Sequence, residues 1–158
     1  MPALNIESQS PEETREIAAR LAGVLEAGDV LWLSGGLGAG KTVFVQGLAK
    51  GLGVEDGTLV TSPTFVILHE YVGRVALYHF DFYRLEREQD VDSVGYEEYF
   101  EGDGVCAVEW ADKFPAIFGP ATIKVDIKRT GDETRQISID GGDEASPRLE
   151  AIKEGLSL

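Results

Sequence analysis

The chain has one cysteine, one methionine, two histidines and half as many basic as acidic side chains among its 158 residues. Each scarcity excludes something. A lone cysteine, Cys106, rules out an internal disulfide and fits a reducing cytoplasm, so a cytoplasmic protein is expected. His69 and His79 are too few for a histidine-rich metal cluster and read as packed or solvated strand residues. No apolar run approaches membrane-spanning length, and MPALNIESQSPEET carries neither a basic nor an apolar leader region. Neither a signal peptide nor a membrane partner is therefore expected. The 14 basic side chains stand against 28 acidic ones, giving a net charge of −14. Such a surface repels phosphate backbones and anionic lipid, which argues against independent nucleic-acid binding.

What is present suits one globular domain over residues 1–158, with 43% hydrophobic residues. Ser10-Pro11-Glu12-Glu13 reads as a capped helix start, and Ile17, Leu21, Val24 and Leu25 recur at helical spacing up to Gly28. Asp29 to Ser34, with the continuous apolar run Val30 to Leu33, predicts a strand covered on both faces. Thr42 to Leu52 predicts a helix. VILHEYV and VALYHF, broken at Gly73-Arg74, predict one hairpin; ATIKVDIKR and TRQISID predict a second. Between them lie a charged, weakly helical stretch broken at Gly95 and a short buried strand, Val105 to Val108. The tail after about Gly141 is polar, then weakly helical, and is expected to be disordered or peripheral. The mixture predicts an α/β fold with some antiparallel strand pairs.

One stretch asks for more than a turn. LWLSGGLGAGKTVFVQGLAKGL contains Gly35-x-x-x-x-Gly40-Lys41-Thr42, between a strand-like and a helix-like run. Glycines let backbone N–H groups ring a phosphate, and the following helix adds its positive end. Lys41 can then reach terminal phosphates and the Thr42 hydroxyl can ligate Mg²⁺. At ordinary residue frequencies a chain this long shows the pattern by chance about 0.5% of the time.

Such a site needs an acid at the end of a buried strand. Two strands offer one: Asp81 after ALYHF and Glu109 after VCAV. The residues alone leave open which one holds metal directly. Thr61, Ser62 and Thr64 precede a strand, where hydroxyls can meet the γ-phosphate, its Mg²⁺ or the attacking water. Asp92-Ser93-Val94-Gly95 matches the D-x-x-G of GTPases, but it follows a helical segment and no N-K-x-D occurs. ATP is therefore the expected nucleotide.

In order and spacing, GGLGAGKT, TSPTF, YHFDFYRL, VGYEEYF and VEW resemble the TsaE (formerly YjeE) family, bacterial ATPases needed for threonylcarbamoylation of adenosine 37 in tRNA. The resemblance runs from the first helix to about Ile139. It implies a P-loop NTPase-like sheet with helices on both faces. It implies that Gly36, Leu37, Gly38, Ala39, Gly40, Lys41 and Thr42 wrap the ATP phosphates. Thr42 and Glu109 would ligate Mg²⁺, with Asp81 as the nearby acid; Lys41, Asp81, Glu109 and Thr64 would serve catalysis. Trp110 and Arg135 would lie at the nucleotide, and Ser62 to Phe65 would match a switch-like segment. TsaD and TsaB would be partners, with tRNA met only through them. Gly36 stands where GDLGAGKT has aspartate, Val43 replaces a common threonine and Phe82 replaces a leucine; none removes a phosphate or metal ligand.

The expected chemistry is in-line attack of water on the γ-phosphate, slow alone and faster with partners; no arginine finger is evident in cis, and Arg84 reads either as a candidate for one or as a surface or partner-facing arginine. Two rivals share the loop. One is a small-molecule or nucleotide kinase, which would need an acceptor pocket. The other is a nucleotide-gated assembly subunit with negligible turnover.

Overall fold

A computed structural model describes residues 3–36, 38–55, 57–63, 66–141 and 150–156. Seven strands form one sheet: β1 (Ala3–Ser8), β2 (Val30–Ser34), β3 (Leu68–Tyr71), β4 (Ala76–Asp81), β5 (Gly104–Glu109), β6 (Ile123–Arg129) and β7 (Arg135–Asp140). Their spatial order is β1-β7-β6-β2-β5-β4-β3. The central strands β6, β2, β5 and β4 run parallel, whereas β3, β7 and β1 are added antiparallel. The mixed α/β sheet and both hairpins agree with the sequence reading.

Helices cover both faces. On one lie α1 (Pro11–Ala22) and α2 (Lys41–Gly51), packed over Leu31, Leu33, Leu77, Val105, Val125 and Ile139. On the other lie the short α3 (Glu88–Val94) and α4 (Tyr96–Phe100), with Phe80, Cys106, Val108 and Phe114 beneath them. Strand β2 feeds both layers by alternation: Leu31 and Leu33 face α1 and α2, and Val30 and Trp32 face the other way. Gly95, at φ 75°, separates α3 from α4 where the sequence predicts a break.

Two expectations need correction, and one strand was not expected. Helix α1 ends at Ala22, not near Gly28; Gly23 caps it through its N–H to Ala19 and Arg20 carbonyls. Gly28 belongs instead to the turn into β2, where its N–H donates to the Gly104 carbonyl at 2.8 Å. The N-terminal residues, read only for the lack of a leader, form β1, pairing Ala3 through Ser8 with Asp140 through Arg135. The alternation of Leu4 and Ile6, both packed against the core, was its sequence signal. Of the tail after Gly141, residues 150–156 are described: 150–155 form a helix, α5, and Ile152 and Leu156 are buried in the α1–α2 layer. Two apolar side chains four apart suffice to dock one helical face, so that part is not peripheral.

Helix α2 comes backbone-close to α1 at Gly47 and Gly51. A Cβ built on Gly47 would lie 2.3 Å from the Arg15 carbonyl oxygen and 2.6 Å from Ala18 Cβ. Replacing a helical glycine by alanine ordinarily stabilises; here the backbones must part. Gly47→Ala is expected to cost roughly 1–3 kcal/mol, read as a lower urea midpoint at unchanged slope. Cys106 offers a second check. Burial pushes its thiol up to about 12, so at pH 8 it is expected to react with a thiol reagent only as the protein unfolds.

Candidate functional site

The parallel core brings the predicted residues to one edge. Strands β4, β5 and β2 end side by side, with Asp81 opposite Glu109 and Glu109 opposite Leu33. The glycine-rich loop leaves β2 directly after Ser34 and enters α2 at Lys41. Ligands collect at this end of open α/β sheets because the loops diverge there.

The loop is built for close approach. Gly38 and Gly40 have φ of 75° and 105°, a region that a side chain disfavours. Gly40 is the N-cap of α2 and supplies no side-chain cap, and the first turn of α2 has no acidic residue. The opening amides of the helix are thus left for a ligand, and the helix end favours an anion.

A cavity of ≈ 560 Å³ lies against this loop. Its wall is formed by Gly38 through Val43, by Ser62, Asp81 and Tyr83, and by Glu109, Trp110 and Arg135. Lys41 is 7% exposed. Its Nζ donates to the Gly35 carbonyl at 2.9 Å and sits 4.3 Å from the Trp110 ring centroid. A carbonyl dipole and an aromatic face thus accommodate the ammonium beside the cavity. Trp110 adopts φ 61°, uncommon for a side-chain-bearing residue, and its ring lies 5.0 Å from that of Tyr83.

The two acids are held differently. Asp81 is 2% exposed; its Oδ2 accepts the Ser62 hydroxyl at 2.9 Å and its Oδ1 the Tyr83 N–H at 2.9 Å. Glu109 is 3% exposed; its Oε2 lies 2.6 Å from His79 Nε2, and its Oε1 takes no partner among the described residues. A second strained residue supports the Asp81 side. Ile67, at φ 73°, directs its carbonyl to the Asp81 N–H at 2.8 Å while its own N–H donates to the Pro63 carbonyl.

Arg135 ties β7 to the loop. Its Nε donates to the Ala39 carbonyl at 2.7 Å and its Nη2 to that of Gly38 at 3.3 Å; Nη1 bonds the carbonyls of Gly131, Asp132 and Thr134. All three nitrogens therefore hold backbone oxygens, pulling two loop carbonyls outward.

Of the sequence-predicted residues, Gly38, Ala39, Gly40, Lys41, Thr42, Asp81, Glu109, Trp110 and Arg135 line one cavity. Gly36 is exposed outside that wall, its carbonyl accepting the Ala39 N–H. Leu37 and Thr64 lie outside the described residues. Arg84 is exposed and does not line the cavity, whereas its neighbour Tyr83 does. Sequence reasoning missed Tyr83, which carries no distinguishing pattern, and His79, whose signal was its place two residues before Asp81 on one strand face.

The donor set is all oxygen: the Thr42 hydroxyl and two carboxylates. Among the described residues no three His, Cys, Asp or Glu side chains gather into a metal cage. That fits Mg²⁺, which is commonly held by one or two carboxylates together with substrate phosphates. Thr42 and Glu109 are the groups suited to hold it.

A family model described as threonylcarbamoyl adenosine biosynthesis protein TsaE matches residues 8–137. The chain is 43% identical over 158 residues to the tRNA threonylcarbamoyladenosine biosynthesis protein TsaE of Bacillus subtilis, covering 99% of this chain and 96% of that one. It is 39% identical over 132 residues to the TsaE of Treponema pallidum, covering 84% and 96% of the two chains. A crystal structure of Bacillus subtilis YdiB superposes with a TM-score of 0.78 at 39% identity, over 99% of this chain and 95% of that one.

Arg135→Ala should free the loop without touching the fold. Hydrogen bonds from a charged donor contribute about 1.5–3 kcal/mol, so amide exchange at 38–40 is expected to quicken roughly tenfold or more. Unchanged exchange would show that the loop holds its shape unaided.

Proposed function

The chain belongs to the TsaE family of threonylcarbamoyl adenosine biosynthesis proteins, and from that premise we propose that it binds and hydrolyses Mg-ATP in the service of tRNA threonylcarbamoyladenosine formation. The carrying observation is the convergence of Lys41 and Thr42 with Asp81 and Glu109 on one cavity at the carboxyl edge of the sheet.

In this reading the loop amides and the α2 N-terminus cradle the phosphates. Lys41 leaves the Gly35 carbonyl and the Trp110 ring for the phosphate oxygens, so those two contacts hold a resting position. Magnesium, when bound, would offset negative charge on those oxygens. Glu109 offers its open Oε1 together with the Thr42 hydroxyl. Asp81, with both oxygens engaged by Ser62 and Tyr83, orients through water. Tyr83 and Trp110 shield the Lys41 side of the cavity from bulk water.

Slow turnover alone follows from the arginines. Arg135, in the cavity wall, has its nitrogens committed to carbonyls, and Arg84 lies outside the wall. A charge-stabilising group supplied by a partner would then accelerate hydrolysis. We place TsaD and TsaB in that role in the cytoplasm. The net charge of −14 supports leaving tRNA to them.

The test is phosphate release from Mg-ATP, with and without TsaB–TsaD, for the wild type and Lys41→Ala. Stimulation by the partners, falling about 100-fold or more in the variant, is the expected result. Release indifferent to the partners would remove the tRNA pathway from the proposal. Transfer of the phosphoryl group to an acceptor other than water would make the protein a kinase.

A further inference from the structure

We infer that His79 is a positioning residue for Glu109, fixing which carboxylate oxygen faces the cavity; the inference rests on the reading of Glu109 as a cation ligand. His79 lies on β4 with 0% exposure. Its Nε2 is 2.6 Å from Glu109 Oε2, and its Nδ1 is buried with no hydrogen-bond partner among the described residues. A carboxylate only accepts, so the imidazole donates its Nε2–H to Glu109. A buried polar atom left without a partner is costly, and a leucine or phenylalanine filling the same space would avoid that cost. Packing therefore does not explain the imidazole; the single bond to Glu109 does.

The sheet makes that bond possible. Asp81 pairs with Glu109 and His79 with Ala107, so His79 stands one pleat behind Asp81 on the same face. From there it meets Glu109 from the core side. Glu109 ends a strand whose six residues are all buried, and its side chain has three rotatable bonds. Fastening Oε2 leaves Oε1, which no described residue holds, as the oxygen Glu109 can present to the cavity it lines with Lys41 and Thr42. The N–H also supports a carboxylate taken almost fully out of water. Groups behind a metal ligand tune it in this way, and their loss weakens metal binding about 10–100-fold.

The readout is binding rather than turnover: calorimetric affinity for a non-hydrolysable ATP analogue, AMPPNP, with and without Mg²⁺. His79→Leu is expected to lose about tenfold or more of the Mg²⁺-dependent gain while keeping metal-free affinity. His79→Gln, whose amide nitrogen reaches the Nε2 position, is expected to restore it. His79→Asn, whose nitrogen reaches only the Nδ1 position, is not. In a Glu109→Gln background His79→Leu should add nothing, since the histidine acts through the missing carboxylate. An undiminished gain in His79→Leu, or equal loss of metal-free and metal-dependent affinity, would overturn the inference. If His79→Leu does not fold, the Gln–Asn pair decides it: equal behaviour of the two overturns it. A Glu109→Gln single variant with the full Mg²⁺ gain would instead sink the ligand reading beneath it.

Discussion

The parallel pairing of β4, β5 and β2 is the constraint on which the site depends. Its register sets Asp81 beside Glu109 and Glu109 beside Leu33, one residue before Ser34 and the loop. A slip of one residue would turn both acids to the opposite face, away from α2, because successive strand residues alternate sides. The apolar fill of both layers locks that register. Leu77, Val105 and Ala107 belong beneath α1 and α2, while Phe80, Cys106 and Val108 belong beneath α3 and α4.

The burial of polar and charged groups is the second theme. Lys41, Asp81, Glu109 and His79 are all withdrawn from water at the edge of the core. Each is matched by a specific group: a carbonyl and an indole face for the lysine, a hydroxyl and an amide for the aspartate, an imidazole for the glutamate. Isolated charges in such a place would be costly, so these partners make the site tolerable as well as ordered. The left-handed backbones of Ile67, bonded to the Asp81 amide, and of Trp110, next to Glu109 in the chain, show where local strain is accepted for that arrangement.

The antiparallel strands at the β1 side contribute more than width. Arg135 opens β7 and reaches across to the carbonyls of Gly38 and Ala39, so the late hairpin braces the phosphate loop. Strand β1 then covers β7, and α5 closes the α1–α2 layer through Ile152 and Leu156. A loop rich in glycine has much backbone entropy to lose, and bracing from a rigid strand reduces what a ligand must still order.

The sequence by itself determined the loop, the strand and helix around it, both hairpins and the two acids, because each carries a local signal: glycine spacing, alternation, or an acid ending an apolar run. It also carried the family resemblance that the comparisons bear out. Only the tertiary structure decided how the acids differ. Asp81 is bonded on both oxygens, by Ser62 from 19 positions away and by the nearby Tyr83 N–H, while Glu109 is fastened on one by His79 from 30 positions away. Likewise, the resemblance set Arg135 at the nucleotide without a reason in its own hairpin; the fold supplies one by bringing it to a loop 96 and 97 residues earlier. His79 looks like any strand histidine until β5 is laid beside it. Local patterns encode elements, but the partner of a buried polar atom is set by register and topology, which no short stretch contains.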